Sequence, residues 1–119
     1  MEKIFVCGFD REQLEKITNM CELLQMMDPC ELRKNSLDYQ ISSLIESCFA
    51  SNNVEKIDDY LILFNDVEDV VISRFIDHYR ETGLPRPLWA VVTKHSVQWS
   101  LRHLINELKK EREEIEKNS

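Results

Sequence analysis

Two kinds of hydrophobic spacing alternate along the chain. In Lys3 to Cys7, Tyr60 to Phe64 and Leu88 to Thr93 the apolar residues follow one another directly. Between these runs they recur at every third or fourth position. The first spacing is that of strands buried on both faces, the second that of helices with one apolar stripe. The alternation predicts an α/β domain.

The helix boundaries are written in polar residues. Asp10 precedes the first helix with Gln13 three positions on, the spacing of a capping box, and Phe9 and Leu14 fit a hydrophobic staple. Leu14, Ile17, Cys21 and Leu24 form its apolar face, and Asp28-Pro29 ends it, because proline disfavours a helical residue before it. A weak strand is expected at Cys30 to Lys34. Asn35-Ser36 then caps a second helix with Leu37, Ile41, Leu44, Ile45 and Cys48 on its inner face. Asn65 and Asp66 cap a third, carrying Val67, Val71, Phe75, Ile76 and Tyr79 and stopping at Gly83. Ser96 opens a fourth, with Val97, Leu101, Leu104, Ile105 and Leu108 on its face. From 109 to 119 the chain is charged on every side, which reads as a solvated helix end or tail.

The two halves resemble each other. At an offset of 60 residues, Asn35 to Ile45 runs against His95 to Ile105 without a gap: Ser36 meets Ser96, Leu44 meets Leu104, Ile45 meets Ile105, and Tyr39 meets Trp99. At an offset of 58, Ile4, Val6, Leu14 and Ile17 fall on Ile62, Phe64, Ile72 and Phe75. Residues 1–119 are therefore expected to form one domain of four helices around a four-stranded, mainly parallel sheet, built as two pseudo-repeated β-α-β-α units over about 3–48 and 60–108. The loops leaving the carboxyl ends of parallel strands gather on one edge, where ligands bind. Here those loops are Gly8-Phe9-Asp10, Asn35-Ser36, Asn65-Asp66 and Thr93 to Ser96.

Composition narrows the chemistry. With only Gly8 and Gly83 as glycines, no glycine-rich phosphate loop can be built. The net charge is -7, and residues 1–60 carry 12 acidic against 6 basic side chains. The densest cluster is Glu55, Asp58, Asp59, Asp66, Glu68 and Asp69, so neither nucleic acid nor an anionic membrane is an expected partner. No apolar run is long enough for a signal or a membrane span. Cys7, Cys21, Cys30 and Cys48 lack paired-ligand spacing and read as reduced core thiols of a cytoplasmic protein.

Candidate reactive residues are few. Lys94 and His95 stand between a strand end and a helix start, where free N–H groups could hold an anion. With Asn65, Asp66, Thr93 and Ser96 they make the candidate ligand site. His103 has no partners at metal-ligand spacing, and Cys7 has no orienting base, so no catalytic or metal residue and no cofactor is assigned. A receiver-like phosphoacceptor at Asp66 would need a carboxylate pair after the first strand, where only Asp10 stands. Trp99 lies off the stripe of the fourth helix, so it either covers the strand edge or stays partly exposed as an interface anchor.

The stretch from Asp59 to Glu111 carries a resemblance. An apolar strand ending in Phe64-Asn65, a helix, Ala90-Val91 with Thr93, and then Trp99, Leu101, Arg102, Leu104 and Glu107 make it similar to an uncharacterised bacterial family, domain of unknown function 3783, over about residues 59–112. Where that family has Thr-Pro-Thr-Asn after the strand, this chain has Thr93-Lys94-His95-Ser96. The resemblance implies no reaction, ligand or partner. The expectation is a small binding or scaffolding module without catalytic activity, with a protein partner or a second copy possible. The alternative is a small ligand sensor or enzyme using the carboxyl edge of the sheet.

Overall fold

The computed structural model describes residues 1–47 and 53–117. Four strands, β1 (Lys3–Cys7), β2 (Cys30–Leu32), β3 (Leu61–Asn65) and β4 (Leu88–Val91), form one sheet in the order β2-β1-β3-β4. The helices are α1 (Arg11–Leu23), α2 (Ile41–Glu46), α3 (Asp69–Arg80) and α4 (Leu101–Lys117).

The most apolar strands take the centre. β1 and β3 alternate between the two faces: Phe5, Cys7, Leu61 and Leu63 pack with Ile41, Leu44, Leu101, Leu104 and Ile105 under α2 and α4. Ile4, Val6, Ile62 and Phe64 pack with Ile17, Cys21, Phe75 and Tyr79 under α1 and α3. The sheet is thus the middle of three layers. Each of the valine, leucine, isoleucine and phenylalanine side chains among them contributes about 1.5–3 kcal/mol by leaving water. An aromatic group closes the second layer near β4, with Trp89 edge-on to Tyr79 at 5.1 Å and to Phe75 at 6.2 Å.

The sheet is mixed, which corrects the mainly parallel expectation. β1 pairs parallel with β2 and β3 parallel with β4, but β1 and β3 run antiparallel, with Phe5 opposite Leu63. A helical crossover forces parallel pairing only on the two strands it joins. The link between β2 and β3 imposes no such constraint, and the two apolar strands meet head to tail.

Three helices start later than their capping residues and apolar spacing predict: α3 begins at Asp69 with Glu68 before it, and Asn65, expected as its cap, instead ends β3. Lys34–Ser36 and Ser96–Gln98 are single 3₁₀ turns, and α2 and α4 begin only at Ile41 and Leu101. The intervening residues bond across the molecule instead. Ile41 N–H donates to the Trp99 carbonyl (2.9 Å), Leu101 N–H to the Tyr39 carbonyl (3.1 Å) and Arg102 N–H to the Leu37 carbonyl (2.8 Å). Gln40 and Ser100 form an antiparallel bridge. Cys48, expected as the last inner residue of the second helix, lies outside the described residues.

The capping box of α1 forms as predicted: Gln13 N–H donates to Asp10 Oδ1 (2.8 Å) and Asp10 N–H to Gln13 Oε1 (2.9 Å). The expectation of four reduced thiols does not hold. Cys7 and Cys21 are free and buried, whereas Cys30 is disulfide-bonded. Cys30 sits half-buried on the edge strand β2. A disulfide needs proximity in space, which spacing along the chain does not report. With it goes the use of the cysteines as an argument for a reducing compartment.

Candidate ligand-binding cleft

The antiparallel centre divides the strand-end loops between two poles. Gly8 to Asp10 and Arg33 to Ser36 leave β1 and β2 at one, while Asn65-Asp66 and Thr93 to Ser96 leave β3 and β4 at the other. The single ligand edge expected from a parallel sheet is therefore absent among the described residues.

At the β3–β4 pole the predicted residues are neighbours, but mostly satisfied ones. Thr93 N–H donates to Ser96 Oγ (2.9 Å) and Ser96 N–H to Thr93 Oγ1 (3.1 Å), while Val97 N–H donates to the Thr93 carbonyl (3.0 Å). The donors on which the anion-site expectation rested are thus occupied within the turn. Asn65 Nδ2 donates to the Met1 carbonyl (2.8 Å), and the Met1 ammonium pairs with Asp66 at 2.9 Å. Lys94 and His95 are exposed. Trp99 is half-buried, packed against the α2–α4 core and edge-on to His103 at 4.6 Å. It does not stand out as an exposed anchor.

At the β1–β2 pole lies a cleft of about 1000 Å³. Its floor depends on Gly8, which adopts φ +87° after β1. A Cβ there would overlap the Asp59 carbonyl and stand 3.2 Å from the carbonyl oxygen of Ile57, so only glycine lets the segment before β3 close over the strand end. That segment continues beside the end of β2: Arg33 bridges Lys56, and Lys34 N–H donates to the Glu55 carbonyl (3.1 Å). Phe9 and Tyr60, their rings 5.0 Å apart, and Leu14 make the apolar wall.

The charges in the cleft cancel formally, with Asp10, Glu31, Glu55 and Asp58 against Arg11, Arg33, Lys34 and Lys56. They are not all paired. Arg33 bonds Glu31 (2.9 Å) in a half-buried pair and donates to the Val54 carbonyl (2.6 Å). Lys34 is shared by Glu55 (3.0 Å) and Asp58 (3.7 Å), and its ammonium is held above the ordinary value chiefly by the hydrogen bond to Glu55 and then by the charge of Asp58. Arg11 and Lys56 have no carboxylate within 4.0 Å among the described residues. The cleft thus offers two unpaired cations and two carboxylates that share one lysine.

Nucleophilic chemistry finds little here. Cys7, which ends β1 beside the cleft, is fully buried, and burial, with Glu31 and Asp59 nearby, pushes its thiol far above the usual range and keeps it protonated. Among the described residues no three His, Cys, Asp or Glu side chains are grouped to hold a metal. Among the described residues no helix is long and apolar enough to cross a membrane.

Sequence reasoning missed the cleft. It read Glu55 and Asp58 only as part of an acidic cluster, and did not place Lys34 against both. The available signal was a glycine directly after a buried strand.

A three-layer α/β domain with a mixed sheet and one open pole is the class that these features define. Residues 60–115, from the start of β3 through most of α4, match the model of a domain of unknown function, DUF3783. No curated protein and no solved structure matches the chain.

Proposed function

We propose that the protein is a binding module without catalytic activity, and that its ligand is a small zwitterion with an apolar body, taken into the cleft beyond β1 and β2. The observation that carries this reading is the cleft itself: about 1000 Å³, one aromatic wall, and charges of both signs left incompletely paired. Ligand sites are concave, largely apolar and furnished with a few placed polar groups. Arg11 and Lys56 suit a carboxylate, Asp58 and Glu55 an ammonium, and Phe9, Leu14 and Tyr60 the apolar part. The opposite pole supports the choice, because Met1 occupies Asn65 and Asp66 there and the Thr93–Ser96 turn satisfies its own donors.

The test is a thermal-shift screen of the whole chain against free amino acids, dipeptides, nucleotides and inorganic phosphate. Amino acids or dipeptides with large apolar side chains should raise the unfolding temperature in a saturable way, and Arg11→Ala with Lys56→Ala should abolish the effect. Stabilisation by phosphate alone, or by zwitterions in the double variant as well, would overturn the reading.

The same proposal takes the fold as two β-α-β-α units related by an internal two-fold axis between β1 and β3. The residues in the left-handed region support it, since Gly8 and Gln25 correspond to Asp66 and Gly83 at the offset of 58. Arg11 and Asp69, which open α1 and α3, share that offset, and Ile41 and Leu101, which open α2 and α4, share the offset of 60. The crossed bonds Ile41 to Trp99 and Leu101 to Tyr39 are what a two-fold axis passing between Gln40 and Ser100 produces. A crystal structure in which residues 3–46 and 61–106 failed to superpose after rotation by about half a turn would end this part of the reading.

A further inference from the structure

A second concavity lies in the α1–α3 layer, away from the cleft. Because β1 and β3 are antiparallel, the carboxyl end of α1 comes beside the amino end of α3. Between them is a groove of about 240 Å³ whose apolar lining is Ile4, Leu24, Met26, Met27, Val67 and Val71. Its charged lining residues are Glu2 and Glu68, neither of which has an ion-pair partner among the described residues. Met27 is 44 % exposed, and Leu23 and Val70, the neighbours of Leu24 and Val71, are 71 % and 58 % exposed.

The turn after α1 holds this surface in place. Gln25 is in the left-handed region (φ +59°), Met26 N–H donates to the Cys21 carbonyl (2.7 Å) and Gln25 N–H to the Glu22 carbonyl (3.1 Å). These are the two bonds of a Schellman motif. Met26 is thereby turned back onto the helix while Met27 is left at the rim. The groove is smaller than the roughly 300–1,000 Å³ of small-molecule pockets, and methionine is over-represented on surfaces that accept varied apolar partners.

We propose that this groove docks a segment of another protein, one that inserts a large apolar side chain between Leu24 and Val71 and presents lysine or arginine to Glu2 and Glu68. Charge complementarity selects this occupant. The groove is lined by carboxylates without a cation, and the same residues repel nucleic acid and anionic membrane. Glu22 near the end of α1 and Asp69 at the start of α3 extend that acidic field along both helices.

The test uses the whole chain with two helical model peptides of one pattern, one built from leucine and lysine, the other from leucine and glutamate. The leucine–lysine peptide should bind saturably, with amide NMR shifts concentrated at Leu24, Met26, Met27, Val67 and Val71, and its affinity should fall with salt. The leucine–glutamate peptide should not bind. Met27→Lys and Glu68→Lys, both at exposed positions, should each weaken binding about tenfold while leaving the unfolding temperature unchanged. Shifts spread over acidic residues elsewhere, affinity indifferent to the two substitutions, or no binding would each overturn the proposal. Arg11→Ala, which alters the cleft, should leave peptide binding intact, so failure here is distinct from failure of the zwitterion reading.

Discussion

The N–H of Ile41 donates to the carbonyl of Trp99 at 2.9 Å, tying the first residue of α2 to the turn that leads into α4. With the matching bond from Leu101 to Tyr39 (3.1 Å), it joins the two halves of the chain on one face of the sheet, as β1 and β3 join them within it. The Arg102 guanidinium, paired with Asp38 at 2.9 Å, adds an exposed contact beside this crossing and holds the Asp38 carboxyl below its ordinary pKa.

Gly8→Ala should destabilise the fold by about 2 kcal/mol or more, since it combines a left-handed φ with a backbone clash at Asp59. Gly83→Ala, where nothing lies within 4 Å of the added carbon, should cost only the φ penalty of about 1 kcal/mol. Urea denaturation of the two variants checks the difference. Equal losses would mean that the approach of residues 57–59 to Gly8 contributes nothing.

Gln25→Gly should stabilise the protein by about 0.5–1 kcal/mol, because glycine relieves the left-handed strain of the Schellman turn at a smaller entropic cost. An unchanged or lower denaturation midpoint would count against this turn geometry.

Ser36 and Ser96 are both buried, yet only Ser96 has its hydroxyl engaged; Ser36 Oγ has no hydrogen-bond partner among the described residues. Ser96→Ala should therefore cost about 1 kcal/mol. Ser36→Ala should be neutral or stabilising, because it removes a buried hydroxyl that is unsatisfied. Parallel thermal melts distinguish the two.

The protein should lose stability in alkali. Burial, assisted by Asp28 and Glu22, pushes the Cys21 thiol from 9.0 up to about 12, and burial raises the Tyr79 hydroxyl from 10.0 to about 12. Both groups keep their protons in the folded state at pH values where the unfolded chain releases them. Their stabilising effect is complete below about pH 9 and declines as the pH rises toward about 12. Cys21→Ala should flatten the fall of denaturation midpoint across that window. A slope unchanged from the parent would show that the thiol does not contribute to it.

Alkylation of the unfolded, unreduced chain should modify Cys7 and Cys21 and leave Cys30 untouched until a reductant is added. Peptide mapping by mass spectrometry reads this directly. Modification of Cys30 before reduction would remove the disulfide.

What could be read in the sequence was local. The span of β1, the Asp10–Gln13 capping box, the apolar face of α1 and the two buried residues of α3, Phe75 and Tyr79, follow from spacing and from side-chain chemistry within a few residues. What could not be read was relational. The antiparallel meeting of β1 and β3 depends on which two strands seek the centre, and the late starts of α2 and α4 depend on bonds between residues far apart in the chain. The state of the Thr93–Ser96 turn was hidden for the same reason: Thr93 and Ser96 look like open donors in the sequence, but each satisfies the other. The cleft needs Lys34 beside Glu55 and Gly8 beside Asp59, pairs that no periodicity announces.

The antiparallel seam between β1 and β3 also bears on the matched stretch. Residues 60–115 contain β3, whose first four residues are apolar and buried and one edge of which is covered by β1. Severed from residues 1–59, that stretch would present five residues of unpaired backbone on a buried-type strand, the kind of edge that recruits another chain. The limits of the matched stretch are thus not the limits of a sheet with both edges of β3 covered, because one of those edges is supplied by β1.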